Sequence, residues 1–300
     1  MTDGEEPPER GHEAFDLLGH EIRLAIIERL AAERRRSWRA NGLEFAALRK
    51  AVGVEDAGQF NYHLDKLLGT FVEKRDDEYV ATTAGVEVAG TVRAGTYETD
   101  DVSFTAAIGA RCTECDDRLE AAYQGGTLQV RCPEHGLYHA TAIPPAVVRD
   151  RDPETVVALA QRNARNELGR ALDGACVHCW GTVDVETPVE PPKELLDQQG
   201  TTPDEVDQVV VEFACRDCEA TFWTAASVTV LDHPAVVAFY HDHGVNVRDR
   251  GYLELSFVDG TNGVVESTDP VRVRIDVTHD DDTLHVWVDD DAQVVDHERV

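Results

Sequence analysis

Long apolar runs, lysine and a recognisable export signal are scarce or missing in this chain of 300 residues. No stretch approaches the roughly 18 consecutive apolar residues that a bilayer-crossing helix needs, so a membrane partner is not expected. The opening residues MTDGEEPPERGH are polar and acidic and fit no secretory signal. Residues 1–13 therefore read as a disordered lead-in, and a cytoplasmic location is expected. Lysine occurs only at Lys50, Lys66, Lys74 and Lys193. The motifs G-x-S-x-G, the P-loop, G-x-G-x-x-G and an open three-ligand metal triad are missing too, so no enzymatic activity is expected.

Acid is what the chain has in excess: 58 Asp and Glu against 28 Lys and Arg, a formal charge of −30. A carboxylate-rich, lysine-poor surface suits a salt-rich cytoplasm, where repulsion is screened over a few ångströms. Capture of basic partners is the other reading. The distribution matters more than the sum, because residues 14–95 hold 12 basic against 13 acidic residues, a net charge of −1. One segment is spared the acid, which is what contact with nucleic acid requires.

That segment has helical punctuation. Phe15, Leu18, Ile22, Ala25, Ile26 and Leu30 recur at helical spacing and predict one amphipathic helix over residues 14–33. An arginine-rich stretch over residues 34–39 follows, either a phosphate grip or a solvated loop. A second helix is expected over residues 43–51, with Phe45 and Leu48 inward. Gly53 ends it, and Glu55 and Asp56 open a third. Phe60, Leu64, Leu67 and Leu68 form the third helix's buried stripe. At 100° per residue Gln59, Tyr62 and Lys66 lie opposite, with Asn61 and His63 on the borders. Amide, phenol, imidazole and ammonium groups are the types that reach base edges and phosphates in a major groove. Strands over residues 70–73 and 79–82 flank Lys74 and Arg75 as a hairpin, and a helix is expected over residues 83–94.

LLGHEIRLAIIERL, QFNYHLDKL and FVEKRDDEYVATTAG resemble the first helix, recognition helix and wing of ArsR-type winged-helix regulators. The resemblance covers residues 14–95. It implies a winged helix-turn-helix domain that binds double-stranded DNA as a homodimer. The departures are a longer, arginine-rich first loop, three acids in the wing and no cysteine pair on the recognition helix, so direct arsenite or metal sensing is not implied.

Seven cysteines in a chain with no export signal argue against a disulfide framework. They fall as Cys112-x2-Cys115, Cys132-x2-His135, Cys176-x2-Cys179 and Cys215-x2-Cys218. Paired C-x2-C turns separated by strand-forming residues are the sequence form of a zinc ribbon. Two structural zinc ions per chain are expected: one on Cys112, Cys115, Cys132 and His135, the other on Cys176, Cys179, Cys215 and Cys218. His139 is the alternative to His135 but breaks the two-residue spacing. His178 reads as exposed, and His241 and His243 as core or surface. Both ribbons run pair, strand, pair, strand, then Asp and Pro opening a helix, which suggests internal duplication. The second carries a loop insertion containing PPKELLDQQG and TTPDEV.

The expected fold class is thus α+β: a winged helix-turn-helix over 14–95, zinc-ribbon units over 105–173 and 174–245, and an acidic β-rich tail over 250–300. Tail strands are expected over 252–258, 271–278 and 284–288, with another at 294–295. The tandem of ribbons and acidic tail resembles regions that follow winged helices in regulators of halophilic archaea. A DNA-binding transcriptional regulator is the expected function. The alternative, resembling archaeal transcription factor E, is an accessory that contacts the transcription machinery.

Overall fold

A computed structural model of the chain describes residues 9–36, 42–98, 102–188, 190–193, 196, 202, 208–248, 251–259 and 262–300. These form a mixed α+β architecture with four antiparallel sheets. The chain divides into two compact units: Met1–Asp101 with Pro144–Val147, and Val102–Ile143 with Val148–Val300.

In the first unit, helices α1 (Glu9–Leu18) and α2 (Glu21–Arg36) replace the single expected helix, and α1 begins inside the segment read as disordered. The break has a local cause. The His20 ring nitrogen accepts from the Ile22 backbone N–H, 3.2 Å away, so His20 caps a new helix instead of continuing the old one. The break also cuts the apolar stripe, leaving Phe15 70% exposed although its spacing predicted burial. Strand β1 (Leu43–Glu44) leads into α3 (Phe45–Val52), which ends at Gly53 with φ 82°. Asp56 then caps α4 (Ala57–Leu67) by accepting from the Gln59 N–H at 2.6 Å. Strands β2 (Val72–Arg75) and β3 (Glu78–Ala81) make a hairpin, with β1 on the far side of β3. Helix α5 (Thr83–Ala94) follows, capped by Thr82. Gly85 is required there, because a Cβ would sit 2.4 Å from the Phe71 carbonyl oxygen. Ile26, Ile27, Leu30, Leu48, Phe60, Leu64, Leu67, Phe71 and Ala89 fill one core. Leu68, expected in the stripe, is 37% exposed because the helix stops at Leu67.

The second unit is mostly sheet. Strands β4 (Phe104–Arg111), β5 (Arg118–Gln124), β6 (Thr127–Cys132) and β7 (Gly136–Ala142) form a meander. The short helix α6 (Pro145–Val148), three of whose four residues group with the first unit, precedes the long α7 (Pro153–Leu172) of the second; Asp152 caps α7 as expected. Strands β8 (Val183–Glu186), β9 (Val210–Cys215) and β10 (Thr221–Ala225) form a three-stranded meander. Strand β10 ends at Ala225, and a helical turn, Ala226–Thr229, buries Ala226 and Ser227. The next helix, Pro234–Asp242, is capped by His233 and not by the expected Asp232. Asp232 instead makes a two-pronged pair with Arg165, at 2.7 and 2.8 Å.

The last sheet comprises β11 (Gly263–Thr268), β12 (Val271–His279), β13 (Asp282–Val288) and β14 (Val294–Arg299) in sequential order. The strand expected over 252–258 is absent. Tyr252 and Leu253 are both buried, and adjacent residues in a strand face opposite ways, so the chain turns helically through Tyr252–Glu254 and Ser256–Asp259. The acidic tail is thus no appendage: Leu253, Leu255 and Phe257 belong to the core of the second unit.

Candidate metal centres and nucleic-acid interface

Four tight turns carry the eight proposed ligands, and all four share one backbone solution. The residue four positions after the first ligand has a left-handed φ in each: Asp116 at 60°, Gly136 at 87°, Trp180 at 65° and Glu219 at 59°. The Cys112 N–H donates to the Asp117 carbonyl at 2.8 Å, Cys176 to Gly181 at 2.8 Å and Cys215 to Ala220 at 2.9 Å. This reversal turns the chain back within six residues, so that both ligand side chains of a pair face one hole. The strand pairing is repeated too: Arg111 pairs with Arg118 as Ala175 pairs with Thr182, at the same offsets from Cys112 and Cys176.

Cys112, Cys115, Cys132 and His135 gather with their ligand atoms within 4.8 Å of one another, as do Cys176, Cys179, Cys215 and Cys218. Each group could hold one metal ion. In the first, His135 Nδ1 lies 3.3 Å from Cys112 Sγ and 3.5 Å from Cys132 Sγ, and Cys115 and Cys132 are 3.7 Å apart. In the second, Cys179 and Cys215 are 3.5 Å apart and Cys176 and Cys218 3.7 Å. A tetrahedron of roughly 2.3 Å metal–sulfur bonds has edges of about 3.8 Å, close to these separations. None of the seven cysteines is in a disulfide.

Protonation points the same way. Burial raises the Cys112 pKa, but the Tyr138 hydroxyl and the Cys115 and Glu114 N–H groups overcome that and bring it down to about 6. Cys176 likewise falls to about 6, burial being outweighed by the Cys179 and His178 N–H groups. An N–H from Asp117 favours the Cys115 thiolate, yet burial and the neighbouring sulfurs push it up to about 11. Cys179, despite the Gly181 N–H, rises to about 12 beside Cys218 and Cys215. The Cys112 and Cys176 thiolates thus form easily, whereas those of Cys115 and Cys179 are favoured by a cation beside them.

Three supporting residues carried no sequence signal. Tyr138 puts its hydroxyl 3.1 Å from Cys112 Sγ. Glu114 places a carboxylate oxygen 3.6 Å from His135 Nε2, an ion-pair distance. Asp217 accepts from the Thr182 N–H at 2.9 Å, crossing from one ligand turn to the other. A Cβ at residue 181 would meet that carboxylate at 2.1 Å, so Gly181 was the one legible hint. His139 is no ligand: its Nδ1 bonds the Tyr252 hydroxyl at 2.6 Å, and burial lowers its pKa to about 4. His178 is exposed as expected. His243 bonds Asp282 at 3.0 Å.

On α4, Gln59, Tyr62 and Lys66 all face solvent, with Tyr62 59% exposed and the Lys66 ammonium 5.9 Å from its ring centre. Asn61 is exposed, but its amide donates to Asp65 at 2.7 Å. His63 corrects the expectation of a groove-facing imidazole: it is 6% exposed, 4.0 Å from the His20 ring. Burial, then His20 and Arg23, depress its pKa and keep it neutral. Lys74 and Arg75 are exposed on the hairpin, Arg75 paired with Glu73 at 3.0 Å. Of the arginine-rich stretch, Arg34 donates to the Ala81 carbonyl at 3.2 Å, tying α2 to the hairpin's base. Residues 37–41, and most of the insertion 194–207, lie outside the described residues. No described helix is long and apolar enough to cross a membrane.

Residues 109–294 match a family described as Domain of unknown function (DUF7351), and residues 11–92 match Domain of unknown function (DUF7347). No curated protein and no solved structure matches the chain.

Proposed function

The chain belongs to the DUF7351 family, and we propose that it is a DNA-binding transcriptional regulator whose second unit is stapled by two structural zinc ions. One observation carries the DNA reading: α4 presents Gln59, Tyr62 and Lys66 to solvent opposite its buried stripe, in the one stretch whose charges nearly balance. With the exposed β2–β3 hairpin beside it, that arrangement fits a winged helix. Its recognition helix lies in the major groove of double-stranded DNA and Lys74 and Arg75 reach the adjoining phosphates. A homodimer reading two half-sites suits this docking.

Zinc is the metal favoured by four ligands drawn from thiolate and imidazole in a tetrahedral cluster. Four protein ligands leave no open position, so the metals hold the fold and catalyse nothing. The matched turns and strand registers support two zinc ribbons related by duplication. When bound, each ion replaces protons as the charge partner of the thiolates; the turns' N–H groups, Tyr138 and Glu114 orient the donors around it.

In-vitro selection from random duplex DNA with the full chain tests the regulator reading. It should enrich a sequence motif with two-fold symmetry. Recovery of unenriched DNA after repeated rounds would sink it. Elemental analysis of protein purified without chelator should return two zinc per chain.

A further inference from the structure

The two clusters differ in what each shows to water. In the first, Cys112 and Cys132 are buried, Cys115 is half-buried and the outermost residue is His135, whose side chain is 28% exposed. In the second, Cys176 and Cys215 are buried while Cys179 and Cys218 are both exposed. The second cluster also pairs each exposed sulfur with a buried one from the opposite turn: Cys179 with Cys215 at 3.5 Å, and Cys218 with Cys176 at 3.7 Å.

We infer that the second cluster is a peroxide-sensitive modification site, which exchanges its metal for the cross-turn disulfides Cys179–Cys215 and Cys176–Cys218, while the first cluster keeps its metal. This rests on the zinc reading above. Oxidation follows thiolate character and access, and the exposed sulfurs of a thiolate-only site have both. The chemistry balances. The Cys218 sulfur attacks one oxygen of hydrogen peroxide, the O–O bond breaks, and the departing hydroxide takes a proton to become water. The resulting sulfenic acid is attacked by the Cys176 thiolate, its S–O bond breaks, and a second hydroxide leaves and is protonated to water. Two electrons pass from the sulfur pair to the peroxide. A second peroxide does the same for Cys179 and Cys215. Disulfide sulfurs carry no anionic charge, so the metal ion is released. The surroundings admit this oxidant: Asp217 and Glu219 in the second turn repel anions but not neutral peroxide.

The first cluster lacks the entry point. Its outer ligand is an imidazole, which peroxide does not carry through this sequence, and its remaining cross-turn pair, Cys115 and Cys132 at 3.7 Å, has no fully exposed member. Geometry alone would permit a disulfide there; access separates the two sites.

The test uses the full chain loaded with zinc and exposed to hydrogen peroxide, with metal release followed by a zinc-binding dye and disulfides mapped by non-reducing peptide mass spectrometry. Release should run in two phases at least tenfold apart in rate, the fast one ending at half the bound zinc. The mapped bonds should be Cys179–Cys215 and Cys176–Cys218, and thiol reductant with fresh zinc should restore the starting state. Equal rates for both metals, retention of both, or bonds within one turn would overturn the inference. A second arm replaces the outer imidazole, His135→Cys. The first site should then release its metal in the fast phase as well, whereas an unchanged slow phase would remove exposure as the cause. Protein carrying no zinc as purified defeats the metal reading; protein carrying two and yielding neither to peroxide defeats this inference alone.

Discussion

The first unit closes around helices whose apolar stripes meet in one core; the second spreads its strands over sheets of three and four and carries both cysteine clusters. The charges divide likewise: 12 basic against 13 acidic over residues 14–95, and 15 against 40 over residues 96–300. The contrast shows two ways to fix a fold. Helices α2 and α4 bury Ile26, Ile27, Phe60 and Leu64 completely, enough to hold a small domain. The second unit buries residues from all its sheets, Leu119, Phe213 and Ile275 among them, and adds two cysteine clusters that could hold metal, on a chain segment whose surplus acid opposes compaction.

On the zinc reading proposed above, removing the metal is the largest perturbation, and it should fall on one unit. Structural zinc sites are worth roughly 10–16 kcal/mol near neutral pH. Chelation, or Cys176→Ser with Cys112→Ser, should abolish hydrogen-exchange protection through β4–β10 while α2, α4 and α5 keep theirs. Equal loss in both units would end the comparison.

Salt should divide the units next. Phosphate contacts release counterions, so affinity for DNA ordinarily falls steeply as salt rises. In the full chain the acid of residues 96–300 repels DNA and itself, and molar salt screens both effects. Full-length protein should bind its selected DNA more tightly in about 1 M potassium chloride than in about 0.1 M, and the segment 1–101 should show the ordinary decline or a smaller gain. Titration across a salt series, with circular dichroism at each point, decides it. Tightest binding by folded full-length protein at low salt would mean that the acid serves a basic partner. Smaller again are single contacts: Lys66→Ala, or Lys74→Ala with Arg75→Ala, should weaken binding to all sequences and flatten the salt slope by about 1 per phosphate lost, whereas Tyr62→Ala or Gln59→Ala should relax sequence preference.

Much of this was legible where the signal is periodic or covalent. The grouping of the eight residues that could hold metal followed from two-residue spacing alone, and the helix Thr83–Ala94 runs over the expected residues 83–94. What was not legible depended on partners far along the chain. Asp232 looked like a helix cap, but Arg165, 67 positions away, claims it. Residues 252–258 alternate enough for a strand, yet Tyr252 reaches His139 and Leu253 bonds Gln161. His63 sat on the border of a helical wheel, and only the His20 ring from the α1–α2 break decided that it turns inward.

That buried His63 makes the first unit sensitive to acid without metal. Its folded pKa lies below the ordinary 6.5, so the unfolded chain binds the proton first. Stability should therefore be intact above about pH 6.5 and fall as pH drops through that value toward the depressed one. His63→Leu should flatten this slope in melting curves of the first unit; an unchanged slope would assign it elsewhere.

The smallest expected effect is at helix caps, and it tests whether local terms weigh differently in the two units. Asp56 and Asp152 do the same job, each accepting from a backbone N–H three residues on, Gln59 at 2.6 Å and Thr155 at 3.0 Å. Losing such a cap costs about 1 kcal/mol. The first unit has about 100 residues and only its hydrophobic core, so Asp56→Ala should lower its melting temperature by about 4–8 °C. Asp152→Ala should move the second unit less, because the same loss is spread over a larger unfolding entropy and, on the zinc reading, the metal sites add to its stability. Two-transition calorimetry on zinc-loaded protein reads both at once. If Asp152→Ala shifts its transition as far as Asp56→Ala shifts the other, the second unit depends on local helix energetics as much as the first, and the metals do not set its stability.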